Sequence, residues 1–97
     1  MKKTVYRYLI PAKIFESEEL SNSHKMLYCL ISNKFDEFSG KELPEIAELA
    51  SGPLQMEPTA VYKLLTSMIR KKFFIGHDYD ETNFKHAKIT VPLVNYF

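Results

Sequence analysis

The hydrophobic period of this chain changes at Lys72, and that change constrains its fold more than any other feature. Before it, Val61, Leu64, Leu65 and Met68 keep the i, i+3, i+4, i+7 spacing of one buried helical stripe. After it, FFIGHDY and FKHAKITV are short aromatic and β-branched runs separated by DETN, the pattern of a β-hairpin with a polar tip. Such a chain has to gather helices and a small sheet about one core, so an α+β fold is expected.

The same reasoning places the remaining elements. TVYRYLIP is weakly alternating and rich in aromatic and β-branched residues, which predicts a short strand over residues 4–10 ended by Pro11. After the acidic connection ESEE, Ser21 or Ser23 can cap a first helix with an apolar stripe of Leu27, Leu30, Ile31, Phe35 and Phe38, and Gly40 closes it. A second helix is expected to begin near Pro44 and run through EIAELA with Ile46, Leu49 and Ala50 inward, until Ser51, Gly52 and Pro53 break it. Glu57 and Pro58 suit the start of a third helix, with an acid at the positive end of the dipole and proline in the first turn. Pro92 ends the second strand of the hairpin, leaving LVNYF as a tail.

The 97 residues are 45% hydrophobic and 26% charged, which fits a single domain over residues 1–97. A lone cysteine, Cys29, allows no internal disulfide and fits a reducing, cytoplasmic setting. No apolar run follows Met1, Lys2 and Lys3 as a signal peptide requires, and no stretch is long enough to span a membrane. The net charge of +1 argues against coating nucleic acid by bulk electrostatics, but the charge is polarised along the chain. Eight of the twelve acids lie in the first half, whereas residues 58–72 carry four basic groups and no acid.

The order strand, helix, helix, turn, helix, hairpin resembles the winged-helix form of the helix-turn-helix fold. ELPEIAELA, PTAVYKLLTSMIRKKFF and the hairpin carry the likeness, through Ala47, Thr59, Val61, Leu65 and Ile69 followed by Lys71, Lys72, Phe73 and Ile75. YLIPAKIF and LSNSHKMLYCLI are similar to the N-terminal domains of phage and plasmid replication initiators and related regulators. One departure stands out: SGPLQMEP makes the connection between the second and third helices about four residues longer than the family's tight turn.

The resemblance implies binding to double-stranded DNA, with the third helix in the major groove and the hairpin as a wing near the backbone. Thr59, Tyr62, Lys63 and Thr66 are then the candidates for base edges, and Arg70 and Lys71 for phosphates. On the wing, Lys85 and Lys88 would face DNA, while Asp78, Asp80 and Glu81 keep the tip away from it. Each reading has a plainer rival: Tyr62 lies beside the core stripe and can simply be packed, and cations near a helix C-terminus also satisfy its dipole. A homodimer on two half-sites would raise the affinity of so small a module, with Tyr96 and Phe97 as possible contacts. The alternative function is a winged-helix protein-interaction module, for which Tyr6, Tyr8, Tyr79, Tyr96 and Phe97 are the exposed aromatic candidates.

Catalysis and metal binding find less footing. His77, Asp78, Asp80 and His86 have metal-ligand chemistry but not the spacing of a known zinc site, so solvated hairpin residues are the expectation. Cys29 and His24 fall on different faces of one helix, no glycine-rich phosphate loop is present, and neither an enzyme nor a cofactor is expected.

Overall fold

The computed structural model describes residues 10–80 and 82–91, so the strand expected over residues 4–10 lies outside them except for Ile10, as do Tyr96 and Phe97. The described chain is α+β: helices α1 (Ala12–Phe15), α2 (Asn22–Asn33), α3 (Phe35–Phe38), α4 (Leu43–Leu54) and α5 (Pro58–Arg70), then strands β1 (Ile75–His77) and β2 (Lys88–Thr90). The strands pair antiparallel in the register Ile75 to Thr90, Gly76 to Ile89 and His77 to Lys88. No helix among the described residues is long and apolar enough to cross a membrane.

Pro11 opens a helix instead of only closing a strand. Its carbonyl accepts the N–H groups of Ile14 and Phe15, each at 3.0 Å, and the single turn of α1 drives Ile14 fully into the core. Ser21 caps α2 by accepting the His24 N–H, while the His24 ring accepts the Ser21 N–H in return. This is a capping box built with histidine where glutamate or glutamine is usual. The helix expected to run unbroken towards Gly40 is interrupted at Lys34, whose φ of −125° and ψ of 37° leave helical geometry. The chain restarts as α3, so Phe38 reaches the core while Phe35 is only half-buried. Gly40 takes a left-handed φ of +78° after that turn.

The second helix also differs from expectation, because Ser51, Gly52 and Pro53 do not break it. α4 continues to Leu54 with Pro53 inside its last turn, where the lost N–H donor costs one bond at an end that frays anyway. Gln55 then turns left-handed at φ 54°, its N–H bonding the Gly52 carbonyl and that of Met56 the Ser51 carbonyl, both at 3.1 Å. Those paired bonds form a Schellman stop. The connection to α5 therefore shrinks to residues 55–57, and the extra length anticipated in SGPLQMEP is mostly helix. The buried stripe of α4 is Leu43, Ile46, Ala47 and Ala50, which leaves Leu49 off its edge and 47% exposed.

α4 and α5 make the most extensive helix–helix contact. Val61, Leu65 and Met68 of α5 are fully buried against it and α2, and Tyr28 of α2 stacks on Phe74 with ring centroids 5.5 Å apart and planes within 4°. The hairpin is fastened to the start of α4, where the Leu43 N–H donates to the Ala87 carbonyl at 2.9 Å and His86 Nδ1 lies 2.6 Å from Glu42 Oε2. That second pair is exposed, so the buried neighbours Phe84, Ala87 and Ile89 hold the hairpin more firmly than it does.

Candidate nucleic-acid interface

Helical geometry puts Thr59, Lys63, Thr66 and Arg70 on one side of α5, and packing then divides them. Thr59, Lys63 and Arg70 are exposed. Thr66 is not: it is 8% exposed, and its hydroxyl donates to the Lys63 carbonyl at 3.0 Å. Thr66 is therefore the least open of the four candidates, its hydroxyl turned back onto its own helix and shielded from solvent. Tyr62 is half-buried against the core, in keeping with the packed alternative.

The buried arc of α5 is shifted from the stripe of the sequence pattern: Leu64 is only half-buried, while Thr66 and Ile69, the latter beneath the hairpin, are buried. A Cβ placed on Gly76 would stand 3.0 Å from Ile69 Cγ2 and 2.5 Å from Tyr79 Cε1, so β1 approaches the helix and the ring as only glycine permits.

The basic groups at the end of α5 have distinct surroundings. The Arg70 guanidinium lies over the Phe84 ring, 5.0 Å from its centroid, and Phe84 stacks on Tyr79 at 4.7 Å. Lys71 is exposed but turns the other way, donating from Nζ to the Glu19 carbonyl in the loop before α2 at 3.2 Å. Lys72 is exposed and left-handed, at φ 66°. On the hairpin, Lys85 and Lys88 are exposed; Lys85 follows Phe84, and Lys88 pairs across the sheet with His77.

His24 was no candidate in the sequence, yet it bridges two helices. Its Nε2 lies 3.2 Å from Ser67 Oγ on α5, and its Nδ1 lies 2.7 Å from Ser21 Oγ. Because Nδ1 also accepts the Ser21 N–H, the neutral ring carries its proton on Nε2 and donates it to Ser67. Desolvation, then the nearby Lys71 ammonium, hold its pKa below the ordinary value. The interruption of sequence between Ser21 and Ser67 hides this bridge; only the Ser-x-x-His spacing of the box could have hinted at it.

The histidines of the hairpin are occupied separately. His77 Nε2 is 3.1 Å from Thr90 Oγ1, and His86 faces Glu42. Among the described residues no group of histidine, cysteine and carboxylate side chains is arranged to hold a metal ion. Asp80 accepts from the Thr82 hydroxyl and N–H, which lowers its pKa and folds the tip upon itself. Cys29 is half-buried, and burial raises the pKa of its thiol, a poor setting for a nucleophile.

Compared with known protein families, curated proteins and solved structures, the chain matches none.

Proposed function

We propose that this chain is a winged helix-turn-helix domain that binds double-stranded DNA sequence-specifically and without catalysis. It would act as a transcriptional regulator or as the DNA-binding part of a phage or plasmid replication initiator. The observation that carries the reading is the α4–α5 pair: two packed helices joined by residues 55–57, the second exposing Thr59, Lys63 and Arg70 on a side free of acids. A helix so mounted can enter the major groove with the N-terminal half of its outer face against base edges. Thr59 and Lys63 are the base-contacting pair, since lysine donates to guanine acceptors and threonine can donate, accept or touch a thymine methyl. Arg70, Lys72, Lys85 and Lys88 supply phosphate contacts that fix register. Two copies on paired half-sites would bring the affinity of one small module into the specific range.

Selection from a random duplex library at two salt concentrations tests this. A reproducible motif is expected, bound with an affinity whose logarithm falls with log salt by about 0.9 for each phosphate neutralised. Failure to enrich any motif would overturn the proposal. The alternative, a protein-interaction module, draws on the apolar surface where Phe15 and Met26 stand 63% and 53% exposed.

A further inference from the structure

The end of α5 and the hairpin enclose a concavity of about 380 Å³ lined by Ile69, Arg70, Lys72, Tyr79 and Phe84. Two of its five lining residues are cations, and none is an acid. Asp78 and Asp80 line a neighbouring depression with His86, on the other side of the Tyr79 ring that the two share. Among the described residues, neither Arg70 nor Lys72 has a carboxylate partner.

The side chains around this corner form a layered support. Gly76 lets the Tyr79 ring lie close upon β1, Tyr79 stacks on Phe84, and Phe84 carries the Arg70 guanidinium. A guanidinium held over a ring keeps its N–H edge for a second partner and loses little freedom when one arrives. Such a fork matches the oxygens of a phosphate.

Lys72 points to the same ligand by a different route. The Lys72 N–H bonds the Ile69 carbonyl at 3.0 Å and the Phe73 N–H the Met68 carbonyl at 2.9 Å, so Lys72 occupies the left-handed position of a Schellman stop. Glycine is the usual occupant of that position, because any Cβ is strained there. Here a strained residue brings a second cation to the wall of the concavity.

We infer that this corner is a phosphate-binding site, with Arg70 gripping the oxyanion edge-on and Lys72 adding the second charge. The inference deepens the DNA reading and rests on it for the source of the phosphate, a backbone diester; the ligand chemistry itself is read from the corner alone.

Titration of the full chain with inorganic phosphate, followed by NMR at Arg70 Nε–H and the Lys72 amide, tests it against sodium chloride at equal ionic strength. Saturable shifts are expected at Arg70, Lys72, Tyr79 and Phe84 that chloride does not reproduce. Arg70→Lys keeps the charge but loses the fork, and should bind about tenfold more weakly, as expected for losing one charge-assisted hydrogen bond. Lys72→Gly relieves the backbone and should still weaken binding, so that loss of the fold cannot imitate the effect. Shifts identical to those in chloride, or unchanged binding by both variants, would overturn the site. A second arm adds duplex DNA. Duplex that binds and perturbs Arg70 and Lys72 supports the site and the DNA reading together, whereas duplex that binds without touching them overturns the site alone. Phosphate that binds to a chain indifferent to duplex upholds the site and overturns the DNA reading.

Discussion

The two halves of α5 carry similar residues in different surroundings. In the N-terminal half Thr59 and Lys63 are exposed and have no side-chain partner among the described residues. In the C-terminal half Thr66 is buried, Arg70 rests on Phe84, and just past the helix Lys71 holds the Glu19 carbonyl. The difference comes from the hairpin and from the loop before α2, which close upon the C-terminal end and leave the N-terminal end open. A helix face read from residue type alone is one surface, but packing turns this one into an open half and an anchored half, which the proposed DNA reading assigns to bases and to backbone.

The largest effect should come from breaking the anchored half. Ile69→Ala removes a side chain that is 5% exposed and shared by α5 and β1, and should cost roughly 2–5 kcal/mol of stability in urea unfolding. Half-buried Leu64, changed to alanine, should cost clearly less. Equal losses would mean that the hairpin contributes little to holding this end.

Next in size is the strain at the helix stops. Lys72→Gly and Gln55→Gly each release a left-handed residue and should raise stability by about 1 kcal/mol. Lower unfolding midpoints for both would show that their side chains contribute more than the backbone costs. Thr66→Val sharpens the contrast within one face. It gives up the hydroxyl bond to the Lys63 carbonyl, should change stability by no more than about 1 kcal/mol, and should leave duplex affinity where it was. A selective loss of affinity would return Thr66 to the base-reading set.

The smallest effect expected is on pH dependence. The folded pKa of His24 lies below the ordinary 6.5, chiefly through desolvation and then through Lys71. The unfolded chain therefore takes up this proton first as pH falls. The contribution is fully present above about 6.5 and is lost as pH falls from there through the folded value. Thermal midpoints of the wild type minus those of His24→Gln should fall across that window, and a flat difference would remove His24 from the pH response.

The sequence made the broad layout legible because hydrophobic period and helix starts are local. Val61, Leu65 and Met68 of the α5 stripe, the Glu57–Pro58 start and the hairpin all follow from neighbours a few residues apart. What failed depends on where a helix begins and ends or on distant contacts. Pro53 forbids a helix interior but not a last turn, and only the Schellman bonds of Gln55 and Met56 reveal which it occupies. Counting the α4 stripe from Pro44 turns Leu49 inward, whereas the helix starts at Leu43 and buries Leu43, Ile46, Ala47 and Ala50. In the candidate site, Lys63 and Arg70 were legible as exposed cations, whereas the commitments of Thr66 and Lys71 depend on tertiary packing and on a loop 52 residues away. The bridge from His24 to Ser67, 43 residues apart, was hidden for the same reason.

The most direct test of the account titrates wild type and Lys63→Ala against a selected duplex and a scrambled one at fixed salt. Lys63 belongs to the open half, so its loss should cost on the order of 1–3 kcal/mol on the selected duplex and little on the scrambled one, narrowing the gap between them. Equal losses on the two duplexes would contradict base reading by the open half of α5, and no loss on either would mean that DNA does not meet this face.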